Sequence, residues 1–187
     1  MVLIFDEIKA IFKNDPAIKG KLRWPEFLLY PGLHAIIVHR YLNHPLYRLK
    51  IPFFPRLFSQ VMRFLTGIEI HPGAKIGRGL FIDHGIGVVI GETAEIGKNC
   101  VMFQNITLGG TGKHSGKRHP TLGDNVLIGT SSILLGPIKI GNNVNIGANT
   151  FIINKDVPDN CTVVGCPGRI VRLEGKKVDM DLKEHKY

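Results

Sequence analysis

The sequence predicts a mainly β fold, a left-handed parallel β-helix built from hexapeptide repeats, with a small N-terminal α-helical cap. Three observations lead there. Aliphatic anchors recur every six residues over most of the stretch from Ile70 to Ile152, eight of them are followed directly by glycine, and the chain before residue 68 has a helical period instead. The 187 residues, 44% hydrophobic and 21% charged, have an ordinary globular composition whose length fits one domain with a small appendage.

Residues 1–67 form the expected helical cap. In "YPGLHAIIVHRYL" the apolar Leu33, Ile36, Ile37 and Tyr41 recur at helical spacing, and "PRLFSQVMRFLTG" does the same with Leu57, Val61, Phe64 and Leu65. Pro55 near the start of the second helix and Gly67 just past its end are start and stop signals.

Residues 68–172 form the expected β-helix domain. Its anchors are Ile70, Ile76, Ile82, Ile90, Ile96, Met102, Leu108, Leu122, Ile128, Leu134, Ile140, Ile146 and Ile152. Each hexad supplies a short strand and a turn, and three hexads close a triangular coil. The glycine or small polar residue after each anchor takes the corner, where a Cβ would crowd or φ must be positive. Smaller residues four places on, such as Ala74, Ala94, Ser132 and Thr150, fill the prism beside the anchors. Stacking buries a core that no single repeat could bury alone. Residues 173–187, "LEGKKVDMDLKEHKY", read as a polar, partly disordered tail.

The hexad beat fails twice, and a solenoid absorbs extra residues only by looping them out. Ile82 and Ile90 stand eight apart and enclose Asp83 and His84; Leu108 and Leu122 enclose "GGTGKHSGKRHPT" with Arg118 and His119. Glu69, fifteen residues before His84, is close to one full coil away, so it could orient the imidazole as a general base requires. Arg118 offers a planar fork for a carboxylate, and His119 a donor to the same group or to an oxyanion. The glycine run lets backbone approach a ligand closely but lacks the spacing of a phosphate-binding P-loop.

Bulk properties narrow the function. A formal charge of +9 would suit a phosphorylated ligand, nucleic acid or an anionic membrane. The basic residues are dispersed, however, and no nucleic-acid-binding signature accompanies them, so no nucleic-acid partner is expected. Cys100, Cys161 and Cys166 share no metal or redox spacing, which points to a reducing compartment. "MVLIFDEIKAIF" lacks a basic leader and a cleavage site, and no apolar run reaches spanning length, so a cytoplasmic protein without membrane association is expected.

Across roughly residues 15–172 the sequence resembles the serine O-acetyltransferases of bacteria and plants. The resemblance rests on "DPA", "YPGLHAIIVHR", "GIEIHPGAKIGRGLFIDHGIGVVIGETAEIG", "TLGGTGK", "KRHPT" and "VVGCPGR". It implies acetyl transfer from acetyl-CoA to the hydroxyl of L-serine, giving O-acetylserine for cysteine synthesis, with no metal. His84 would be the general base and Glu69 its orienting acid. Asp15 and Asp83 would hold the serine ammonium, and Arg118 and His119 its carboxylate. The pantetheine of CoA would lie between neighbouring β-helices against Gly110 and Thr111, near Ala148 and Thr130; the last stands where relatives commonly have Ala. Sites of the family lie between subunits, so a homotrimer is expected. Only the last part of the family's helical domain is present, which argues against a hexamer. Feedback inhibition by L-cysteine is permitted by the retained residues. The C-terminal Ile through which relatives bind O-acetylserine sulfhydrylase is absent from "EHKY", so that complex is not expected.

Three rivals share the fold. An acetyltransferase for a sugar or antibiotic hydroxyl would leave Arg118 unpaired, a costly arrangement if buried. A γ-class-like zinc carbonic anhydrase would use His84, His114 and His119, since three imidazoles and a water make a catalytic zinc set. A plain scaffold explains the hexads but not the polar residues gathered in both breaks.

Overall fold

The structure, a computed structural model, describes residues 2–18, 24–112 and 115–185. His114 of the zinc-site expectation and the last residues of "EHKY" lie outside them. The hexads fold into stacked three-sided coils. The first is β1 (Glu69–Ile70), β2 (Lys75–Ile76) and β3 (Phe81–Ile82); the second is β4 (Val89–Ile90), β5 (Glu95–Ile96) and β6 (Val101–Met102). The third is β7 (Thr107–Gly109), β8 (Thr121–Leu122) and β9 (Leu127–Ile128), and the fourth is β10 (Ile133–Leu135), β11 (Lys139–Ile140) and β12 (Asn145–Ile146). The last coil has β13 (Phe151–Ile153), a bridge from Val157 to Ile140 in place of a second side, and β15 (Cys161–Val164), with β14 (Lys155–Asp156) between them. Face 1 stacks β1, β4, β7, β10 and β13; face 2 stacks β2, β5, β8 and β11; face 3 stacks β3, β6, β9, β12 and β15.

Pairing is parallel and keeps anchor over anchor: Ile70 on Ile90, Ile90 on Leu108, Leu108 on Leu134 and Leu134 on Ile152. Every anchor is buried except Ile76, half-buried on the edge strand of face 2, and the fillers Ala74, Ala94, Ser132 and Thr150 are buried beside them. The two buried hydroxyls are satisfied, since Ser132 and Thr150 both donate to the Gly147 carbonyl at 2.9 and 2.7 Å.

Corner geometry divides the role assigned to glycine between two positions. Glycine after an anchor is needed for closeness: a Cβ on Gly97 would lie 2.3 Å from the Gly123 oxygen. Positive φ falls two residues later, mostly on asparagine, as at Asn99, Asn125, Asn143 and Asn160. Asparagine tolerates this conformation, and here its side chains also ladder. Asn125 donates to Asn143 at 3.0 Å and Asn143 to Asn160 at 2.8 Å.

The helical cap covers the first coil with α1 (Val2–Asn14), α2 (Pro31–Val38), a π turn over His39–Asn43, α3 (His44–Arg48) and α4 (Phe54–Thr66). Pro55 and Gly67, the latter left-handed at φ 72°, bound α4 as its sequence predicts. Its apolar stripe points the other way. Leu57, Val61, Phe64 and Leu65 are 39–89% exposed, while Pro55, Ser59 and Thr66 face the β-helix. Tyr41, grouped with the apolar face of the earlier helix, is likewise exposed. At the other end the polar tail is structured. β16 (Arg169–Leu173) and β17 (Lys176–Asp181) extend face 3 antiparallel, and β18 (Lys183–Glu184) pairs with β14. Arg169 bonds Asp179 and Asp181 at 2.9 and 2.6 Å, so charged side chains hold this hairpin. Among the described residues no helix is long and apolar enough to cross a membrane.

Asn143→Ala should lower stability by about 1–3 kcal/mol, because it puts a Cβ-bearing residue without a local hydrogen bond at φ 54° and breaks two ladder bonds. Asn143→Gly, which keeps the backbone freedom but not the ladder, should lose less. Denaturant unfolding of the two variants beside wild type measures both.

Candidate active site

The two breaks leave the prism at different edges. Residues 83–88 lie at the corner from face 3 to face 1, and residues 110–112 and 115–120 at the corner from face 1 to face 2. Coil after coil each corner repeats at its own edge, so the candidate residues sort into two columns with face 1 between them.

The first column carries Asp83 and His84. His84 sits at φ 61°, a strained position for a residue with a Cβ, and its side chain is 72% exposed. Its Nε2 lies 3.8 Å from Asp83 Oδ2. α2 begins against this corner because residue 32 has no side chain: a Cβ on Gly32 would meet the Ile82 oxygen at 2.3 Å. That contact places Tyr30 and Pro31 beside Asp83. The Tyr30 hydroxyl donates to Asp15 Oδ2, and the Ala17 N–H donates to Asp15 Oδ1 at 2.7 Å. Burial, then Asp15, raises the Tyr30 phenol, which keeps its proton and remains the donor. Asp15, Glu26, Tyr30, Asp83 and His84 together line a cleft of about 320 Å³, whose three carboxylates suit an ammonium group.

Glu69 does not join His84 in the single chain. Its carboxylate is taken by two guanidiniums of α4, Arg56 at 2.9 Å and Arg63 at 3.0 Å. The carboxylate paired with the His84 ring is that of Asp83.

The second column carries Arg118 and His119, and "GETA" of the coil above organises both. Thr93 Oγ1 accepts the backbone N–H groups of Arg118 and His119 at 3.0 and 3.1 Å. The Thr93 N–H donates to His119 Nδ1 at 3.1 Å, and the hydroxyl lies 2.9 Å from the same nitrogen. Nδ1 is thereby an acceptor, which leaves the proton on Nε2. Burial, followed by Arg118, pushes the His119 imidazole down to about 4, so the ring is a neutral Nε2–H donor at physiological pH. The ring lies over Gly91, where a Cβ would meet Cδ2 at 2.0 Å. Arg118 Nη2 donates to Glu92 Oε2 at 2.5 Å, and Tyr47 of α3 donates to the other oxygen of that carboxylate at 2.9 Å.

The remaining candidates divide along the same columns. Thr130 and Ala148 stack at the face 3 to face 1 corners of the third and fourth coils, where the Asn149 N–H donates to the Thr130 carbonyl at 2.9 Å. Gly110 and Thr111 open the long loop of the second column, with Gly110 close under the Arg118 backbone. Among the described residues no group of three His, Cys, Asp or Glu side chains could hold a metal, and His84 and His119 belong to different columns. The sequence reading gave no role to Tyr30, Tyr47, Glu92 or Thr93. The tyrosines come from the distant cap, whereas the second break's return to the preceding corner could have pointed to Glu92 and Thr93.

Residues 119–154 match the family model "Bacterial transferase hexapeptide (six repeats)". A serine acetyltransferase of Synechococcus elongatus is 53% identical over 173 residues, 92% of this chain and 69% of its own. Among solved structures, the Neisseria gonorrhoeae serine acetyltransferase in complex with serine superposes with a TM-score of 0.83 at 40% identity, covering 90% of this chain and 67% of that one. A serine acetyltransferase in complex with cysteine gives 0.86 at 37% identity, with 92% and 65% covered. The Brucella abortus serine acetyltransferase in complex with coenzyme A gives 0.85 at 38%, with 91% and 66% covered.

Gly91→Ala should displace the His119 ring and cut turnover by roughly tenfold or more, because the new methyl occupies the space of Cδ2 and Nε2. In the wild type the His119 ring should show no titration between pH 5 and 8 in a histidine-edited NMR spectrum, its proton being gained only near pH 4.

Proposed function

The chain belongs to the serine acetyltransferase family, and from that premise we propose that it acetylates the hydroxyl of L-serine with acetyl-CoA, using His84 as general base. The observation that carries this reading is the separation of charge between the columns. One offers carboxylates to an ammonium beside an exposed imidazole, the other a guanidinium and a neutral Nε2–H to a carboxylate. An α-amino acid with a side-chain hydroxyl matches that set.

In the proposed step His84 takes the hydroxyl proton as the serine oxygen attacks the thioester carbonyl carbon. The C–O bond forms, the C–S bond breaks, and the proton on His84 passes to the departing sulfur, giving O-acetyl-L-serine and CoA. Asp83 pairs with the imidazole and stabilises its charged form, while Asp15, fixed by Tyr30, shares the ammonium with Asp83. Glu69, with each carboxylate oxygen paired to one guanidinium and a lone pair left on both, is the acid that would orient His84. Acetyl-CoA runs down the seam past Thr130 and Ala148 on one side and Gly110 and Thr111 on the other. The coenzyme A complex of the Brucella relative supports this co-substrate.

Both substrates need residues from both columns, which one prism holds apart on either side of face 1. We therefore assign the working site to the seam where the face 3 to face 1 corner of one subunit meets the face 1 to face 2 corner of the next, closed as a homotrimer. Ile86 beside His84 and the apolar stripe of α4 are exposed in the single chain, as an unassembled interface would be. L-cysteine presents the same ammonium and carboxylate as serine, and the cysteine complex of a relative supports it as a competing ligand.

Release of free thiol from acetyl-CoA tests the reading. Release should depend on L-serine, fall by roughly 10²–10⁴-fold in His84→Ala, and fail with serine amide, whose carboxylate is masked. Release that ignores serine, with stoichiometric zinc and hydration of carbon dioxide, would move the assignment to the hydrase.

A further inference from the structure

We propose that Glu92 and Tyr47 are positioning residues that hold Arg118 in the orientation needed to receive the serine carboxylate, so that the helical cap takes part in substrate recognition. The inference rests on the proposed function and extends it to two residues that touch no substrate.

The contacts form one continuous strut. Tyr47 lies on α3, and its ring meets the His71 ring edge-on with centroids 5.9 Å apart. Its hydroxyl donates to Glu92 Oε1 at 2.9 Å, and Arg118 Nη2 donates to Glu92 Oε2 at 2.5 Å. Both carboxylate oxygens are thus committed, one to the cap and one to the guanidinium. The hydrogen bond from Arg118, then that from Tyr47, holds the Glu92 carboxyl below its usual range, so the strut is ionised where the enzyme works. Gly73 closes the assembly from behind, since a Cβ there would lie 3.1 Å from the Tyr47 ring and 3.0 Å from the Glu92 carbonyl.

This strut answers a difficulty in the site. Arg118 stands on a loop of glycines and lysines, where a long side chain would sample many rotamers and lose that freedom whenever substrate binds. Beside the bond to Glu92, its guanidinium makes a long contact through Nη1, to the Gly116 carbonyl at 3.4 Å. Glu92 occupies one N–H of the five a guanidinium carries, leaving a face of the fork for a second carboxylate. The fork is therefore ordered before serine arrives, which lowers the cost of binding without touching the chemical step.

Steady-state kinetics of Glu92→Ala, Glu92→Gln and Tyr47→Phe test the proposal. Glu92→Ala should raise KM for serine about tenfold while kcat and KM for acetyl-CoA stay within about twofold. Glu92→Gln, whose amide oxygen can still accept from Arg118, should recover part of the loss, and Tyr47→Phe, which keeps the ring and removes the hydroxyl, should raise KM for serine about threefold. An unchanged or lowered KM for serine in Glu92→Ala overturns the proposal, because the carboxylate would then be idle or competing with substrate. A joint fall of kcat, both affinities and the melting temperature in all three variants also overturns it, as the mark of a purely structural role. A wild-type chain without serine-dependent thiol release removes the parent function and this inference with it, whereas wild-type turnover with an unchanged KM in the variants removes the inference alone.

Discussion

Stacking of coil on coil is the constraint from which the rest of the molecule follows. Strands of two or three residues have no stability of their own, and their backbone groups are satisfied by the coils above and below. Val101 N–H donates to the Val126 carbonyl and Leu127 N–H to the Val144 carbonyl, both at 2.9 Å. The prism fixes how many residues each side can hold. Extra residues can leave only at a corner, and a corner keeps its place at one edge through every coil. Chemistry grafted on such a fold is arranged in columns, and two columns on one prism cannot approach each other without unwinding it.

The same constraint explains the cap. The first coil has no coil above it, so its carbonyls need other donors. Ser59 donates to Ile70 at 2.7 Å, His39 to Ala74 at 3.1 Å and His44 to Pro72 at 2.9 Å, while Arg40 donates to Ile76 and Gly77 at 3.2 and 2.8 Å. Arg40 is held in turn by buried Glu7 at 2.8 Å. Burial drives the His39 imidazole down to about 3, so it serves as a neutral donor in this seal. Helices anchored this way set Asp15 and Tyr30 beside one column and Tyr47 beside the other. The cap thus ends the solenoid and completes both halves of the site.

What the sequence discloses follows the range of the interaction. The anchors, the fillers and the two breaks depend on the local six-residue period, and His84, Arg118 and His119 stand out as candidates because they interrupt it. The asparagines at positive φ are less visible, since their role comes from neighbours a full coil away, as between Asn125 and Asn143. Tyr30, Tyr47 and Glu92 depend on how the cap docks, a contact between segments with different periods, and no spacing reports it. The outward stripe of α4 misleads for a related reason: a helical period reveals an apolar face but not which surface covers it. The polar C-terminal segment hides its strands because charge pairs such as Arg169 with Asp181 hold them in place of apolar alternation.

The charge carried by each column explains why a neutral His119 belongs beside Arg118. On the proposed reading the substrate is a zwitterion whose two charged groups share one carbon, so one column must favour its ammonium and the other its carboxylate. A protonated His119 next to Arg118 would place a second cation in a buried position beside the first, which burial and the guanidinium both oppose. Thr93 removes the choice by donating to Nδ1, which commits the ring to a single Nε2–H. Glu92 already offsets part of the charge on Arg118 before substrate arrives. The column therefore offers direction rather than a bare positive field, and direction separates an amino acid held with its hydroxyl toward His84 from any other small anion drawn to a basic protein.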